Sequence, residues 1–515
     1  MKDSKQLIAS SAKRFFSGTA LSRITGLGRE VSMAALFGTL PAVAAFWMAF
    51  RFSHLLRRLF GEGALHTAFI PHYEHLRAED PKKSARFFYD LTMSLSLVLI
   101  ALVAITEGIL GAFLIFGSPS SGNAEILRLT MTLLPAVLFI CLFALNSSLL
   151  NCERSYFLPS FAPAILNLIW IGALFLVYKQ EPMIAMQRLS MIIVAAFALQ
   201  WFFTVPRVYS ILVRDGAERA EPFHIRSLAK ILAPFLLGML GVAAMQINSA
   251  FDAIFARVAS SEGPAFLWYA LRLQQLPLAL FGVAIASALF PPISRAIESR
   301  QYEKYHEFLN FAVQRALTWM LPITFAILAL GYASVNLVYG HGHFSREATF
   351  TTTWCLVAYG ASLVPMTMTM LFAAAFYAIK NYKTPAIFSC LSVVLNIGLN
   401  TLFVYVFHWG AFSVAIATTI SSTVNALLLV WILTTIQEIK WKGVRDLSAK
   451  LIVCSLVSAF ATICVSKYLP TNSREIWTQL EVFGVEAALF TVTFLIGSKV
   501  LGVPLLFRGK KSYVR

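Results

Sequence analysis

Seven charged side chains lie in the two hydrophobic segments that open the chain, residues 15–70, where a lipid bilayer penalises charge. They are Arg23, Arg29, Glu30, Arg51, Arg57, Arg58 and Glu62. A charge at the bilayer centre costs at least about 2.5–3.5 kcal/mol, so such side chains normally face a water-filled cavity or a charged partner. Guanidinium groups grip phosphate with paired hydrogen bonds. Because most of these residues are arginines, the pattern predicts a cavity for an anionic, phosphate-bearing ligand.

The second segment places its polar residues on one helical face. Arg51, His54, Arg58 and Glu62 are spaced by three, four and four residues, which aligns them along one side of an α-helix. Glu62 lies one turn after Arg58, so an ion pair is expected to lower the cost of holding both. Arg57 and Arg58 have an alternative position, because the segment ends soon after them and both side chains could snorkel to the cytoplasmic surface.

The first segment carries two glycines between its arginines. Arg23 and Arg29 are six residues apart, which an ideal helix separates by about 120°. Gly26 and Gly28 each weaken a helix by about 1 kcal/mol. We therefore predict a helix break or gate at these glycines, which would bring both arginines to one cavity.

Composition and hydropathy predict an all-α polytopic membrane protein. The 515 residues are 58% hydrophobic and 13% charged, with a mean hydropathy of +0.72, whereas soluble domains are about 25% charged. Windows of about 20 apolar residues predict about fourteen transmembrane helices. They cover residues 15–38, 42–70, 87–117, 125–152, 157–178, 187–213, 227–258, 264–293, 307–339, 347–379, 384–406, 409–436, 446–468 and 476–502.

Lysine and arginine are concentrated in alternate loops and at both termini. This asymmetry places both ends of the chain in the cytoplasm. It also accounts for most of the net charge of +17, so we expect no nucleic-acid partner.

Two pairs of similar segments indicate an internal duplication. FGEGALHTAFIP at 60–71 resembles FGVAIASALFPP at 281–292, and Tyr-x-x-Pro at 156–159 recurs at 382–385. The offsets, 221 and 226 residues, span six predicted helices, so the halves keep one orientation and form parallel lobes. The predicted domains are an N-lobe at 1–213, a cytoplasmic linker at 214–226, a C-lobe at 227–436, and a C-terminal helix pair with a basic tail at 437–515.

The second half offers one matching arginine and a separate oxygen-rich group. Arg272 precedes the repeated FGVAIA segment, and we expect it to converge on a central cavity with the first-half arginines. Asp252, Asn396, Asn400 and Thr418 carry carboxylate, amide and hydroxyl oxygens, which suit a small cation such as Na⁺. Hydrogen bonding between helices is the alternative interpretation of this group.

At these residues the chain resembles the MurJ (MviN) family of the MOP transporter superfamily. The resemblance runs over nearly the whole length and is most specific in SRITGLGRE (22–30), LLRRLFGEGAL (55–65), AFIP (68–71), FLPSFAPAILN (157–167), WYALRL (268–273) and KTP (383–385). It implies fourteen helices, in two six-helix lobes plus a terminal pair. It also implies a flippase that exports undecaprenyl-pyrophosphate-linked peptidoglycan precursor, lipid II, across the bacterial inner membrane by alternating access.

The resemblance also implies roles for individual residues. The family's essential cavity residues fall on Arg23, Arg29, Arg57, Glu62 and Arg272, its groove for the polyprenyl tail on the terminal helix pair, and its sodium site near Asp252, Asn396, Asn400 and Thr418. Many members carry acidic residues where this chain has Ala44 and Leu271. The cavity here is therefore expected to be more positive than is usual in the family.

The expected partners are lipid II and membrane lipids, with a monomeric protein, no cofactor, and coupling to Na⁺ or to the membrane potential. A drug or cation antiporter, or another saccharide flippase of the superfamily, is one alternative, although an antiporter would favour acidic cavity residues. A polyprenyl-pyrophosphate enzyme is another, and only Glu62 and His54 are candidates for its base or nucleophile. A non-transporting scaffold is the third.

Overall fold

The computed structural model describes residues 5–60, 64–216, 246–437, 441 and 443–503, with only the backbone at 5–17, 54, 56–60 and 64–68. These residues are helical wherever they have regular structure. The chain divides into two compact units, Met1–Ala250 and Phe251–Arg515. The predicted linker at 214–226 lies almost wholly outside the described residues.

The described residues of the first unit form a series of helices joined by short connections. They are α1 Lys5–Phe37, α2 Pro41–Phe60, α3 Ala64–Glu79, α4 Pro81–Phe116, α5 Ser121–Leu133, α6 Ala136–Cys152, α7 Phe157–Val177, α8 Pro182–Phe202 and α9 Val205–Arg214. The described part of the next helix, α10, covers residues 246–259 and contains the boundary between the two units.

The described residues of the second unit contain the remaining helices and two π-helical segments. The helices are α11 Gly263–Pro277, α12 Ala284–Glu298, α13 Tyr302–Tyr339, α14 Arg346–Ala361, α15 Leu363–Ala378, α16 Lys383–Thr401, α17 Phe412–Gln437, α18 Val444–Ser466 and α19 Ile476–Val500. One π segment, Leu278–Val283, joins α11 to α12, and the other, Leu402–Val406, follows α16.

Eleven stretches of the described helices are long and apolar enough to cross a membrane. Some combine consecutive helices, as in Ser121–Cys152 and Arg346–Ala378. The remaining predicted spans fall on α1 and α2, which carry the arginines, and on residues 227–258, which are mostly outside the described ranges. The chain is therefore a multi-pass membrane protein, and its architecture is compatible with fourteen spans.

The turns before α7 and α16 share one geometry at an offset of 226 residues. Arg154 and Lys380 both adopt a positive φ, 57° and 61°. In each turn the next residue, Ser155 or Asn381, donates its amide to the carbonyl five residues earlier, at 2.8 and 2.9 Å. This is a Schellman end, in which the positive-φ position is usually glycine. The same turn follows α12, where Arg300 has φ 56° and Gln301 donates to the Ala296 carbonyl at 2.8 Å. These turns therefore do not test the duplication, which stays a prediction.

The helix break predicted at Gly26 and Gly28 is wrong, because α1 runs through both residues as one helix. Close packing accounts for Gly18 of α1, which lies along α7. A Cβ atom at Gly18 would lie 2.3 Å from Ser160 Oγ, and small residues allow two helix backbones to approach closely in a membrane. At Gly26 and Gly28 a Cβ atom would make ordinary contacts, at 3.4 Å to Asn167 Nδ2 and 3.7 Å to Ile171 Cδ1.

A cluster of aromatic rings joins α2 to α7 in the first unit. Trp170 packs edge-on against Phe46 and Phe50, with ring centroids 5.7 and 5.1 Å apart, and stacks on Trp47 at 6.2 Å. Trp170 is fully buried. This packing fixes the face of α7 that α1 contacts.

The terminal helices α18 and α19 pack on α13 in the second unit. Leu330 of α13 and Phe490 of α19 belong to one small buried core. The loop between α18 and α19 is held by Asn336, whose carboxamide donates to the carbonyl oxygens of Thr471 and Ser473, both at 3.0 Å. Side-chain hydrogen bonds thus reinforce the apolar contact between the pair and α13.

We expect Asn336→Ala to lower the free energy of unfolding by about 1–3 kcal/mol, because it removes two hydrogen bonds at a buried site. Thermal unfolding of the purified protein measures the change. Asn472→Ala is the matched control, since that side chain makes one exposed hydrogen bond, to Tyr332 at 2.8 Å. Equal losses in the two variants would contradict the anchoring role of Asn336.

Candidate functional site

Arg29 is a predicted cavity arginine that three kinds of contact hold in place. Its Nη2 lies 2.5 Å from Glu30 Oε1, and its Nη1 donates to Asn167 Oδ1 at 3.1 Å. The guanidinium carbon sits 4.5 Å from the centre of the Trp170 ring. An ion pair, a hydrogen bond and a cation–π contact thus hold one side chain that is 13% exposed. Nε is buried without a hydrogen-bond partner among the described residues.

Asn167 links α7 to α1 around this arginine. Its Nδ2 donates to the Ser22 carbonyl and to Thr25 Oγ1, both at 3.2 Å, while its Oδ1 accepts from Arg29. Arg23 is exposed and belongs to the same unbroken helix, so it points about 120° away from Arg29. The structure therefore does not bring Arg23 and Arg29 together.

Arg51 is buried in the first unit, with 8% of its surface exposed. Its Nη1 donates to the carbonyl oxygen of Ser249 at 3.2 Å, which ties α2 to α10. The side chains of Arg57 and Arg58 and the whole of Glu62 lie outside the described residues. The ion pair between Arg58 and Glu62 therefore stays a prediction.

Arg272 in the second unit also lies over an indole ring. Its guanidinium carbon is 4.2 Å from the centre of the Trp268 ring, one turn earlier on α11, and its Nη1 is 3.4 Å from Gln275 Oε1. The π segment Leu278–Val283 follows within two turns, and π-helical turns are frequent at functional sites. Convergence of Arg272 with the arginines of the first unit stays a prediction.

The two positions that differ from the family pattern have different environments. Ala44 is fully buried in α2. Leu271, next to Arg272, is half-buried. A carboxylate at the first position would therefore be enclosed by protein, whereas one at the second would be partly exposed.

The structure brings Asp252, Asn396, Asn400 and Thr418 together in the second unit. Asn400 Nδ2 donates to Asp252 Oδ1 at 3.0 Å and to Asn396 Oδ1 at 2.9 Å, and Thr418 Oγ1 donates to Asp252 Oδ2 at 3.2 Å. All four residues are buried. The carboxylate is thus enclosed by amide and hydroxyl groups from α16 and α17.

Hydrogen bonding between helices was the alternative interpretation of this group, and the structure contains such bonds. They do not conflict with a cation site, because every residue in the group carries an oxygen and hard cations prefer oxygen ligands. The π segment Leu402–Val406 begins two residues after Asn400. Two predicted sites of the second unit therefore lie beside its two π segments.

Two residues at these sites, and one buried acid elsewhere in the second unit, were not predicted from the sequence. Trp170 and Trp268 support Arg29 and Arg272; the spacing of four residues between Trp268 and Arg272 could have indicated the second contact. Glu486 lies in the apolar helix α19, 1% exposed, and its Oε2 has no hydrogen-bond partner among the described residues. An acidic residue well inside an apolar segment is the signal that could have identified it.

Sequence comparisons give one consistent result. A family model described as lipid II flippase MurJ matches residues 33–476. A probable lipid II flippase MurJ from Chlamydia muridarum is 33% identical, covering 97% of this chain and 95% of that protein. A lipid II flippase MurJ from Burkholderia cenocepacia is 28% identical, covering 80% of this chain and 81% of that protein.

Comparison with solved structures agrees with these matches. Lipid II flippase MurJ in an inward closed conformation matches with a TM-score of 0.77 and 26% identity, covering 94% of this chain and 98% of that one. An inward-facing multidrug resistance MATE family transporter of the MOP superfamily matches with a TM-score of 0.66 and 18% identity, covering 82% of this chain and 96% of that one. At that identity the second match shows the fold alone.

Proposed function

The chain belongs to the MurJ family of lipid II flippases, and on that premise we propose that it moves lipid II from the inner to the outer leaflet of a bacterial inner membrane by alternating access. It acts as a monomer with both termini in the cytoplasm. The undecaprenyl tail stays in the lipid, along α18 and α19, while the polar head group crosses through the protein.

The observation that carries this proposal is the set of contacts that hold the Arg29 guanidinium. A guanidinium group offers five N–H donors in a fixed fork. In Arg29, Asn167 and Glu30 each engage one terminal nitrogen, which leaves the second hydrogen of each nitrogen for an anion. These contacts fix the position of the guanidinium before an anion binds, so little side-chain entropy is lost on binding. This arrangement suits a pyrophosphate group.

The other arginines extend the anion site in the proposal. Arg23, Arg51, Arg57, Arg58 and Arg272 are assigned to the head group and its pyrophosphate, with Glu62 as an ion-pair partner. No covalent step is needed, because the substrate leaves the protein chemically unchanged. Transport then depends on binding the pyrophosphate on one side and releasing it on the other.

We assign the coupling ion to the buried carboxylate of the second unit. Asp252, Asn396, Asn400 and Thr418 fit Na⁺ by the chemistry of their oxygens and by their proximity. When bound, the ion would supply positive charge beside the Asp252 carboxylate. Asn400 and Thr418 orient that carboxylate through their hydrogen bonds.

We expect this chain to restore growth of cells depleted of their own lipid II flippase, and Arg272→Ala to reduce rescue at least about tenfold. Removal of charge-assisted hydrogen bonds to phosphate costs about 1.5–3 kcal/mol. Plating efficiency, and labelling of lipid II head groups that reach the outer leaflet, measure the effect at matched protein levels. Arg315→Ala is the matched control, since Arg315 lies over Phe311 on α13 at 5.0 Å in the same one-turn arrangement.

Failure of the well-expressed wild type to rescue growth would remove the proposed function. Full rescue by Arg272→Ala would remove only the role of Arg272. Release of phosphate from lipid II by the purified protein would instead favour a polyprenyl-pyrophosphate enzyme.

A further inference from the structure

A cavity in the second unit has none of the predicted site residues in its lining. It encloses about 440 Å³ between α13, α15, α17 and the segment that leads into α18. Its walls are apolar and include Leu317, Met368, Phe372 and Ala426. The Thr423 hydroxyl donates to the Thr419 carbonyl at 2.7 Å, so its hydrogen is already used within α17. The interior is therefore suited to a hydrocarbon chain.

The rim of this cavity has different chemistry. Trp441 packs edge-on against Phe372 and donates its indole N–H to Thr434 Oγ1 at 3.0 Å. Tryptophan in this amphipathic arrangement is typical of the interface between membrane and water. Arg445 lines the same rim and is exposed. The cavity thus has an apolar lining and a cationic edge, and the tryptophan indicates that this edge lies near the membrane surface.

The Arg445 side chain has no hydrogen bond or ion pair with another described residue. The adjacent acid, Asp446, is paired with Lys450 at 2.9 Å. In the sequence, Lys440 and Lys442 add positive charge to the same segment, which is a predicted cytoplasmic loop. Anionic lipids of the cytoplasmic leaflet are attracted to basic side chains at this depth, by about fivefold in affinity for each one.

We propose that this cavity binds one anionic phospholipid of the cytoplasmic leaflet, with an acyl chain between α13, α15 and α17 and the phosphate at Arg445. Size agrees with this ligand. A methylene group is about as large as a water molecule, which occupies roughly 30 Å³ in the liquid. The cavity is therefore many times larger than one methylene group and admits an acyl chain. An undecaprenyl tail is several times longer than such a chain.

Photo-crosslinking of the full-length protein in phosphatidylcholine nanodiscs tests the site. The probe is phosphatidylglycerol with a diazirine in its acyl chain, and labelled peptides are mapped by mass spectrometry. We expect labelling in 364–372 and 423–430, and competition by unlabelled phosphatidylglycerol about fivefold more effective than by phosphatidylcholine of the same chains. The helix Pro81–Phe116, which presents a largely exposed apolar surface, serves as an internal reference for non-specific labelling.

Two variants test the phosphate contact and the acyl-chain contact separately. Arg445→Ala is expected to abolish the preference for phosphatidylglycerol, whereas Arg295→Ala, which removes an exposed arginine of α12, should leave it unchanged. Leu427→Trp narrows the mouth of the cavity at a residue that is 60% exposed, so folding is preserved while labelling by either lipid falls. Labelling no stronger than in Pro81–Phe116 would overturn the proposal, as would equal competition by the two lipids. Displacement of the probe by undecaprenyl phosphate more effectively than by phosphatidylglycerol would assign the cavity to the transported lipid instead.

Discussion

Arg29→Ala is expected to abolish rescue by this chain and to destabilise the protein, whereas the double variant Arg29→Ala/Glu30→Gln should recover stability alone. The Glu30 side chain is 5% exposed and sits 2.5 Å from the guanidinium. Removing one partner of a buried ion pair costs about 3–5 kcal/mol, because the other charge stays buried. The Gln substitution removes that charge, but no cation is restored for the pyrophosphate.

Thermal unfolding and rescue of growth, measured on the same variants, separate the two roles of Arg29. Arg29→Lys adds a further comparison, since lysine keeps the charge but lacks the planar fork that contacts Asn167 and stacks on Trp170. We expect it to rescue growth only weakly. Rescue by the stabilised double variant at the wild-type level would show that Arg29 has a structural role only.

The second large effect concerns Asp252. Sodium at a hundredfold excess over its dissociation constant is expected to raise the free energy of unfolding by about 2.7 kcal/mol, and Asp252→Asn should abolish this rise. The carboxylate is 5% exposed and already accepts hydrogen bonds from Asn400 and Thr418. Asparagine keeps the shape of the group but removes its negative charge.

Melting temperature as a function of sodium concentration measures this effect, with potassium and choline chloride at equal ionic strength as controls. Thr418→Val should weaken the response. Thr419→Val should not, because its hydroxyl donates to the Ala358 carbonyl at 2.6 Å and lies outside the group. A sodium response that survives Asp252→Asn would exclude this site. No response in the wild type would leave the membrane potential as the predicted driving force.

Much of the fold follows from local properties of the sequence. Apolar segments predict the spans because a bilayer leaves backbone groups no partner outside a helix. The repeated Tyr-x-x-Pro follows turns with one hydrogen-bond pattern at Ser155 and Asn381, since those bonds form within a few residues. The carboxylate and amide oxygens of Asp252, Asn396 and Asn400 were sufficient to propose that these residues form one group.

The partners of the arginines depend on tertiary packing and were harder to predict. Trp170 is more than a hundred residues from Arg29 in the chain, and only the packing of α7 on α1 brings the ring to the guanidinium. The prediction at Gly26 is wrong for a related reason, because α1 stays one helix where it packs along α7. Helix propensity alone cannot separate a hinge from a close interface.

Because the loop between α18 and α19 is anchored, the terminal helix pair is a useful attachment site for spectroscopic probes. Asn336 and the core at Leu330 fix the pair to α13, and Arg474 adds a hydrogen bond to the Phe344 carbonyl at 2.8 Å. A spin label or fluorophore at exposed Phe460 of α18 would therefore follow the second unit as a whole, with little independent helix motion. Distances from such a label to the first unit would report the transport cycle without altering any arginine.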